Sequence, residues 1–375
     1  MKKLNSKRQT KNQYALLIAI YLAGFLRPNP GWAEIKPAQT NTSSSEADAV
    51  NRSLIKTTLV PDKSTIMLGE PTKLSFVVEN ASDQDLQVVV GANFRDAHGR
   101  SDRFYVTVTG ENGLKVVQPN QGPDLGGMMG VQKLPAKGRY VFRLFIPSWA
   151  RFEKIGNYSI VVQKTLRVSK FNAAQWNILD KMIDIPSQAS TRLTVIAQDK
   201  EKLGEIIADL GNRTLTETVT GHDSPIQSLD AIDDERTIPY FVKALSTNSY
   251  ELRFAAITAL AKFNNEAAFQ SLKKAMTTNG DEVGNTASKE VADQVADNLR
   301  VAAAYALSKS PYPGAIPYLI TRRSDPAYGV RVTVLHVLGK MSPNEAIPIL
   351  QEMSHDKNKI VSDEAKRYLQ LMNQK

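Results

Sequence analysis

Few residue types that could perform chemistry occur in this 375-residue chain. It has no cysteine, which excludes disulfides, thiolate catalysis and cysteine-bound metals. The run His222-Asp223-Ser224 holds the residue types of a catalytic triad, but adjacent residues cannot line up as nucleophile, base and orienting acid. No His-Glu-x-x-His metal motif and no Gly-x-Ser-x-Gly nucleophile turn is present. The sequence therefore predicts a non-enzymatic protein with no catalytic residue, cofactor or metal site.

Residues 122–130 form the only glycine-dense loop of the sequence. A phosphate cradle needs a preceding strand and a following helix that opens with Lys-Ser or Lys-Thr, and this loop has neither. We predict a mobile insertion. The alternative is a contact loop in which the adjacent Met128 and Met129 repack against a partner.

The strongest binding candidates are six side chains that recur at a spacing of 31 residues, or of 31 plus 16. Residues that return at one position of a repeated helix form a column along the stack. We therefore predict two columns on a protein-binding surface; the alternative is an ordinary solvated helix face. The candidates are Lys262, Lys309 and Lys340 in one column, and Tyr305, His336 and Arg367 in the other.

Two sets of landmarks share this spacing and indicate the elements that position the columns. The proline landmarks are 78 and 31 residues apart, and 78 is two periods of 31 plus 16. The arginine landmarks are 47 and 31 residues apart, so a single 16-residue insertion explains both sets. Self-similarity at a fixed period indicates stacked supersecondary units, which predicts an α-solenoid. The landmarks are Pro239, Pro317, Pro348, Arg253, Arg300 and Arg331.

The second helix of each repeat has its own apolar pattern. Apolar residues recur at offsets 0, 3, 4, 7, 8 and 11, which is one face of an α-helix. Offset 0 of this pattern falls at Leu252, Leu299, Val330 and Val361. Within a predicted solenoid at 199–375, the units are a capping repeat at 199–233 and repeats at 236–264, 266–311, 313–342 and 344–373.

The 16-residue irregularity lies within residues 278–297. Ser288-Lys289-Glu290 has the pattern of a helix start, and the apolar stripe of Leu299 continues back through Val291. We predict a long helix over 286–309. Five acidic residues against one lysine give the insertion a local charge of −4, which is either a solvated edge or a docking surface for a basic partner.

The repeats resemble the HEAT family, specifically the short HEAT-like repeats of phycobilin lyases. That family repeats Ala-Ile-Pro-x-Leu, then Asp, then Val-Arg, then Leu-Gly. In this chain, one repeat matches the pattern nearly in full. The repeat after it keeps most of the pattern, although Ser362 replaces its arginine. The matching residues are Ala315-Ile316-Pro317-Tyr318-Leu319, Asp325, Val330-Arg331 and Leu338-Gly339, followed by Ala346-Ile347-Pro348-Ile349-Leu350 and Asp356.

The resemblance implies structural roles for several charged residues. In the family, Asp and Arg tie turns and neighbouring repeats together, which is the role expected of Asp325 with Arg331 and of Arg253 with Arg300. The resemblance implies no particular partner, because the same repeats serve many unrelated ones. A lyase-like enzyme or enzyme accessory factor is an alternative function by analogy with the phycobilin lyases.

The region 52–198 has a period-two pattern that favours an antiparallel β-sandwich. Lys154-Ile155-Gly156-Asn157-Tyr158 resembles bacterial immunoglobulin-like modules, in which Gly-x-Tyr opens a late strand and the tyrosine fixes a sandwich corner. We place the closing strand at 191–197 and a short helical excursion at 171–185. The alternating runs open at Leu74, Leu86, Phe104, Tyr140 and Tyr158.

Residues 1–33 have the pattern of a secretory signal peptide. Five basic residues precede a 13-residue uncharged run, which is shorter than the roughly 20 residues of a spanning helix. We predict cleavage after Gly31-Trp32-Ala33, followed by a flexible linker at 34–51. Removing six basic residues and no acids changes 47 minus 38 to 41 minus 38, so a formal charge of +9 becomes +3. The basic character is therefore no sign of nucleic-acid binding.

These patterns together predict a multidomain β + α protein, an immunoglobulin-like sandwich followed by a HEAT-like solenoid. We expect an exported, non-enzymatic scaffold, periplasmic or extracellular, whose solenoid binds a protein partner. Neither nucleic acid nor, after signal cleavage, a membrane span is expected. A further alternative is an adhesive or structural module in which the β-sandwich binds the partner and the solenoid is a spacer.

Overall fold

The computed structural model divides into two compact units, residues 1–203 and 204–375. The first is mostly β-sheet and the second is helical, as predicted. The predicted signal peptide and linker lie outside the described residues, as do His98, His222, Asp223 and most of the glycine-dense loop. The residues that the structure describes are 54–91, 104–116, 129–170, 182–217, 224–283 and 288–374.

The described part of the first unit forms nine strands in two sheets. They are β1 (Ile55–Pro61), β2 (Thr65–Met67), β3 (Lys73–Asn80), β4 (Leu86–Gly91), β5 (Tyr105–Gly110), β6 (Met129–Leu134), β7 (Arg139–Phe145), β8 (Gly156–Lys170) and β9 (Ile183–Ile196). One sheet has the order β1-β3-β7. The other has the order β2-β9-β8-β4-β6, with β5 also paired to β8.

The alternation in the sequence places every second side chain of these strands in a shared core. Leu74, Phe76 and Val78 of β3 are each 0% exposed, while the residues between them are only half-buried. The ring of Phe104, just before β5, contacts Phe76 and Phe142 edge-on, with centroids 5.5 and 5.4 Å apart. Because β3 and β7 belong to one sheet and β5 to the other, these aromatic contacts join the two sheets.

Three local predictions for the first unit differ from the structure, and each difference comes from pairing between distant residues. β9 begins at Ile183 because it pairs with β8 along its length, so the described end of the predicted helical excursion is strand. Met129 and Gly130 belong to β6, since they pair with β4, and are not part of a loop. β2 runs parallel to β9, so the larger sheet is not wholly antiparallel.

Tyr158 in β8 anchors the chain where it enters that strand. Its hydroxyl donates to the carbonyl of Lys154 at 2.7 Å. Its ring is 8% exposed and packs edge-on against Phe152, with centroids 4.8 Å apart. Burial, with a smaller effect of Glu153, raises the pKa of Tyr158, so the hydroxyl remains a donor. Nearby, Gly156 has a φ of 146°, a conformation that side chains disfavour.

The described part of the second unit, together with the end of the first, forms ten α-helices. They are α1 (Lys200–Thr216), α2 (Pro225–Asp230), α3 (Ile238–Leu245), α4 (Tyr250–Leu260), α5 (Glu266–Ala275), α6 (Lys289–Lys309), α7 (Ala315–Thr321), α8 (Tyr328–Leu338), α9 (Pro343–Met353) and α10 (Lys359–Asn373). Each predicted second helix is present, as α4, α6, α8 and α10.

Side-chain caps set where several second helices begin. Ser249 accepts from the Leu252 amide at α4, and Ser288 accepts from the Val291 amide at α6. The long helix α6 therefore begins at Lys289, three residues later than the predicted 286. The landmark prolines differ in position, since Pro239 is the second residue of α3, whereas Pro348 lies inside α9.

Consecutive second helices pack against one another, α4 on α6, α6 on α8 and α8 on α10. Their predicted apolar faces are buried, as Leu299, Ala303 and Leu307 of α6 show at 0% exposure. Gly339, directly after α8, is required by the close approach of α10. A Cβ atom there would lie 2.2 Å from the ring of Tyr368.

Replacing Tyr158 with Phe removes one buried hydrogen bond, and we expect the free energy of unfolding of the β-rich unit to fall by about 1 kcal/mol. Residues 204–375 contain no tryptophan, and Trp149 in the described part of the β-rich unit is 2% exposed. Urea unfolding followed by tryptophan fluorescence therefore reports on the β-rich unit and not on the helical one. The matched control is Tyr105→Phe, because Tyr105 is 65% exposed. Equal effects of the two substitutions would contradict the anchoring role of Tyr158.

Candidate protein-binding surface and the ladder that supports it

A buried ion pair joins the second helix of one repeat to the next repeat. Arg331 in α8 donates from Nε and Nη2 to the two carboxylate oxygens of Asp356, at 2.7 and 2.9 Å. Its Nη1 donates to the carbonyls of Asp325 and Pro326, at 2.6 and 3.1 Å. The side chains of Arg331 and Asp356 are only 5% and 12% exposed. A bidentate pair in this setting is strong and is costly to break from one side.

Asp325 occupies the equivalent position one repeat earlier. Its fully buried carboxylate accepts a hydrogen bond from Arg322 at 2.6 Å and lies 3.4 Å from Nε of Arg300 in α6. It also accepts from the Ala327 amide at 3.0 Å, which fixes the turn before α8. The carboxylate of each of these aspartates thus pairs with the arginine of the preceding repeat. We call this arrangement, Arg300 with Asp325 and Arg331 with Asp356, the ladder.

Arg253 and Arg300, which the family resemblance assigns to the connection of neighbouring repeats, both donate hydrogen bonds to Thr278. Arg253 donates to Oγ1 of Thr278 at 3.4 Å and to the carbonyl of Glu282 at 2.9 Å. Arg300 donates to the carbonyl of Thr278 at 3.3 Å. Arg253 is 8% exposed, so its side chain belongs to the interior of the helical unit.

Lys262, the first member of the lysine column, is held by the preceding repeat. Its ammonium donates to the carbonyls of Asp230 and Ile232, at the end of α2, with the second bond 2.9 Å long. It also lies 3.6 Å from the carboxylate of Asp230 and above the ring of Phe263. A cation at a helix C-terminus satisfies carbonyls that lack partners, so Lys262 has a structural role in the observed geometry.

Lys309 and Lys340, the other members of this column, are exposed. The ammonium of Lys309 lies 5.5 Å from the ring centroid of Tyr305, one turn earlier in α6. Tyr305 is half-buried, and burial raises its pKa. The column therefore offers two solvent-accessible cations, one of them beside an aromatic ring.

The second column continues through α8 and α10 around Glu364. The Nε2 atom of His336 lies 3.8 Å from the Glu364 carboxylate, and Arg367 donates to the same carboxylate at 2.9 Å. Arg367 also lies over the ring of Tyr368, at 4.6 Å. Burial lowers the pKa of His336 despite the opposing charge of Glu364. The imidazole is therefore neutral near pH 7, and the cation of this column is Arg367.

Sequence reasoning missed the role of Glu364. The apolar template counts it at offset 3 of its helix, a position that faces the core. Its side chain is 11% exposed because His336 and Arg367 surround it. The sequence did contain a signal for this role. A charged residue at an offset that is otherwise apolar predicts that the charge has a partner in the interior.

The described residues hold no group of three or more His, Cys, Asp or Glu side chains suited to a metal ion. Among those same residues, no helix combines the length and apolar character needed to cross a bilayer. His355 is exposed in the turn before α10, and Ser224 is a buried residue at the start of α2.

Paired short helices joined by a repeated charged contact define a tandem helical-repeat protein in this half. Residues 226–292 and 289–370 match the family model of HEAT repeats. The C-terminal half thus carries HEAT repeats, which confirms the prediction from the Ile-Pro, Asp and Val-Arg landmarks. No curated protein matches the chain.

Two solved structures that are similar to parts of the chain have low TM-scores. A CARDB domain from Pyrococcus furiosus, solved with di-metal ions, has 12% identity and a TM-score of 0.19, over 38% of this chain and 90% of that one. A Salmonella alpha-2-macroglobulin mutant has 12% identity and a TM-score of 0.21, over 86% of this chain and 26% of that one. TM-scores this low support no argument about fold or function.

Replacing Asp356 with Asn leaves the buried guanidinium of Arg331 without its carboxylate. We expect the free energy of unfolding of the helical unit to fall by about 3 kcal/mol near neutral pH. Burial alone raises the pKa of Asp356, but hydrogen bonds from Arg331 and the Asn358 amide outweigh it and hold that pKa below its usual 3.8. The stabilisation is therefore complete above about pH 4 and is lost as the pH falls through the folded-state value.

The measurement is urea unfolding followed by far-ultraviolet circular dichroism over a pH series, in which the difference between Asp356→Asn and the parent should shrink in acid. The control is Asp363→Asn, because the carboxylate of Asp363 is 53% exposed and pairs with Lys359 at the surface. We expect the control to change stability by less than about 0.5 kcal/mol. A pH-independent difference would argue against the ladder pair.

Proposed function

We propose that this protein is an exported, non-enzymatic scaffold whose HEAT repeats form an α-solenoid that binds another protein. The observation that carries the proposal is the match of the C-terminal half to HEAT repeats, which build stacked helices with extended binding surfaces. The serial packing of α4, α6, α8 and α10 supports a solenoid. Two sheets around one core, with the Tyr158 contact at the entry to β8, support an immunoglobulin-like sandwich before it.

The binding surface in this proposal consists of the exposed members of the two columns. Lys309, Lys340 and Arg367 supply positive charge along α6, α8 and α10, and Tyr305 supplies a partly exposed ring. Tyrosine and arginine are enriched at protein interfaces, where they provide contact area and directional hydrogen bonds. A partner with an acidic surface fits this surface best. Lys262 contributes to the solenoid rather than to the partner, because the preceding repeat holds its ammonium.

The test begins with a photo-crosslinking residue at position 309 or 340 of the protein in its native host. The partner that is captured is then purified and titrated with the double variant Lys309→Glu/Lys340→Glu. We expect its dissociation constant to rise by about tenfold or more, most strongly at low salt, because two attractive charges become repulsive. An unchanged affinity would remove the columns from the interface.

A matched control keeps the same change of charge away from the columns. Lys243 in α3 and Lys289 at the start of α6 are both exposed. The double variant Lys243→Glu/Lys289→Glu should bind like the parent. If both double variants weaken binding equally, net charge rather than the column surface governs the interaction.

Export is the second part of the proposal, and the basic start followed by a 13-residue uncharged run supports it. We expect mass spectrometry of the protein from its native host to find a mature N-terminus at Glu34, outside the cytoplasm. Replacing Ala33 with a bulky residue such as Trp should leave an uncleaved precursor, because cleavage requires a small residue there. An intact N-terminus on cytoplasmic protein would contradict export.

A further inference from the structure

At the junction between the repeat of Arg253 and the repeat of Arg300, the chain supplies no aspartate. At the regular position, the carbonyl of Asp325 accepts from Arg331 of its own repeat at 2.6 Å. The carboxylate of Asp325 faces Arg300 of the preceding repeat at 3.4 Å. An equivalent residue is therefore recognised by two arginines, its own at the carbonyl and the preceding one at the side chain.

Thr278 has both of these contacts and therefore occupies the aspartate position of its repeat. Its carbonyl accepts from Arg300 of its own repeat at 3.3 Å, and its hydroxyl accepts from Arg253 of the preceding repeat at 3.4 Å. Thr278 is 3% exposed, like Asp325. The spacing in the sequence gives the same equivalence. Position 270 precedes Pro317 by 47 residues, which is one period of 31 plus the insertion of 16. Thr278 lies eight residues after position 270, just as Asp325 lies eight residues after Pro317.

Arg253 consequently lacks the partner that Arg331 has. Its hydrogen bonds within the described residues go to two neutral oxygens, the hydroxyl of Thr278 and the carbonyl of Glu282. The carboxylate of Glu282 instead accepts from the side chain of Asn279 at 2.7 Å. Burial lowers the pKa of Arg253, and the charge of Glu282 only partly offsets that effect. A buried guanidinium in such surroundings is costly until a carboxylate reaches it.

Arg253 also lines a cavity that has room for such a group. The cavity has a volume of about 230 Å³ and lies among α3, α4, α5 and α6. Thr278 and Ser271 are polar residues of its lining, and Leu245 and Leu299 are apolar ones. Lys274, also in the lining, is exposed, so the cavity reaches the surface beside a second cation. This volume is small for a drug-sized ligand and suits a short acid or one side chain.

We propose that this cavity binds a carboxylate group, which takes the place of the missing aspartate and pairs with Arg253. A planar, singly charged carboxylate matches the fork of a guanidinium, as it does between Arg331 and Asp356. The exposed carboxylate of Glu282 near the cavity disfavours a doubly charged anion such as phosphate. A free small acid and an acidic side chain of a partner share this chemistry.

The decisive variant is Thr278→Asp, which supplies the carboxylate from within the chain. We titrate the purified full chain by calorimetry, at constant ionic strength, with acetate and with a short blocked peptide containing one aspartate. The parent should bind at least one of them saturably, and Thr278→Asp should bind roughly tenfold more weakly or not at all. Without ligand, Thr278→Asp should unfold at a higher urea concentration than the parent.

The control is Thr277→Asp, which adds the same charge at an exposed neighbouring position and should bind like the parent. Acetamide, a neutral isostere of acetate, should not compete. Tighter binding of acetate assigns the cavity to a free acid, and tighter binding of the peptide assigns it to a partner segment. The proposal would be overturned if neither acetate nor the peptide bound the parent saturably, or if Thr278→Asp bound them as tightly as the parent does. Tighter binding of inorganic phosphate than of either carboxylate ligand would also overturn it.

Discussion

The helical half depends on guanidinium–carboxylate pairs that connect one repeat to the next. Its first helices are short, with eight residues in α3 and seven in α7, and helices of this length are unstable alone in water. Arg331 stabilises two neighbouring repeats through two contacts, one with the carbonyl of Asp325 in its own repeat and one with the carboxylate of Asp356 in the next repeat. One side chain thereby fixes the geometry within a repeat and the stacking between repeats, and the apolar faces then pack in register.

This constraint separates residues that share a column. Lys262 and Lys309 hold the same offset in their helices, yet Lys262 caps the end of α2 while Lys309 faces solvent. The difference comes from the preceding element, because the irregular end of α2 brings two carbonyls to Lys262. The position in a repeat therefore determines on which face of its helix a side chain lies, and the neighbouring repeat determines which groups that side chain contacts. His336 and Arg367 illustrate the same point, since both are organised by Glu364 of one helix.

Local periodicity was sufficient to predict the helices, their apolar faces and the alternating strands. It failed where distant residues decide the structure. The start of β9 at Ile183 depends on pairing with β8, and the strand character of Met129 depends on β4, so neither is visible in its own neighbourhood. The start of α6 was predicted within three residues because Ser288 caps it locally. The partner of a charge, as for Glu364, is likewise a property of tertiary structure that spacing alone does not supply.

The irregularity at residues 278–297 and the gap in the ladder are two aspects of one change. Thr278 is the first residue of that segment, and the carbonyl of Glu282, four residues later, supplies a bond to Arg253. Within the described residues, the inserted segment thus gives Arg253 hydrogen bonds from two neutral oxygens, and the charge of Glu282 only partly offsets the cost of burial. A packed apolar residue at position 253 would remove that cost without a ligand. A buried arginine beside a cavity, at the junction where the repeat departs from its own pattern, is therefore expected of a binding site rather than of a purely structural position.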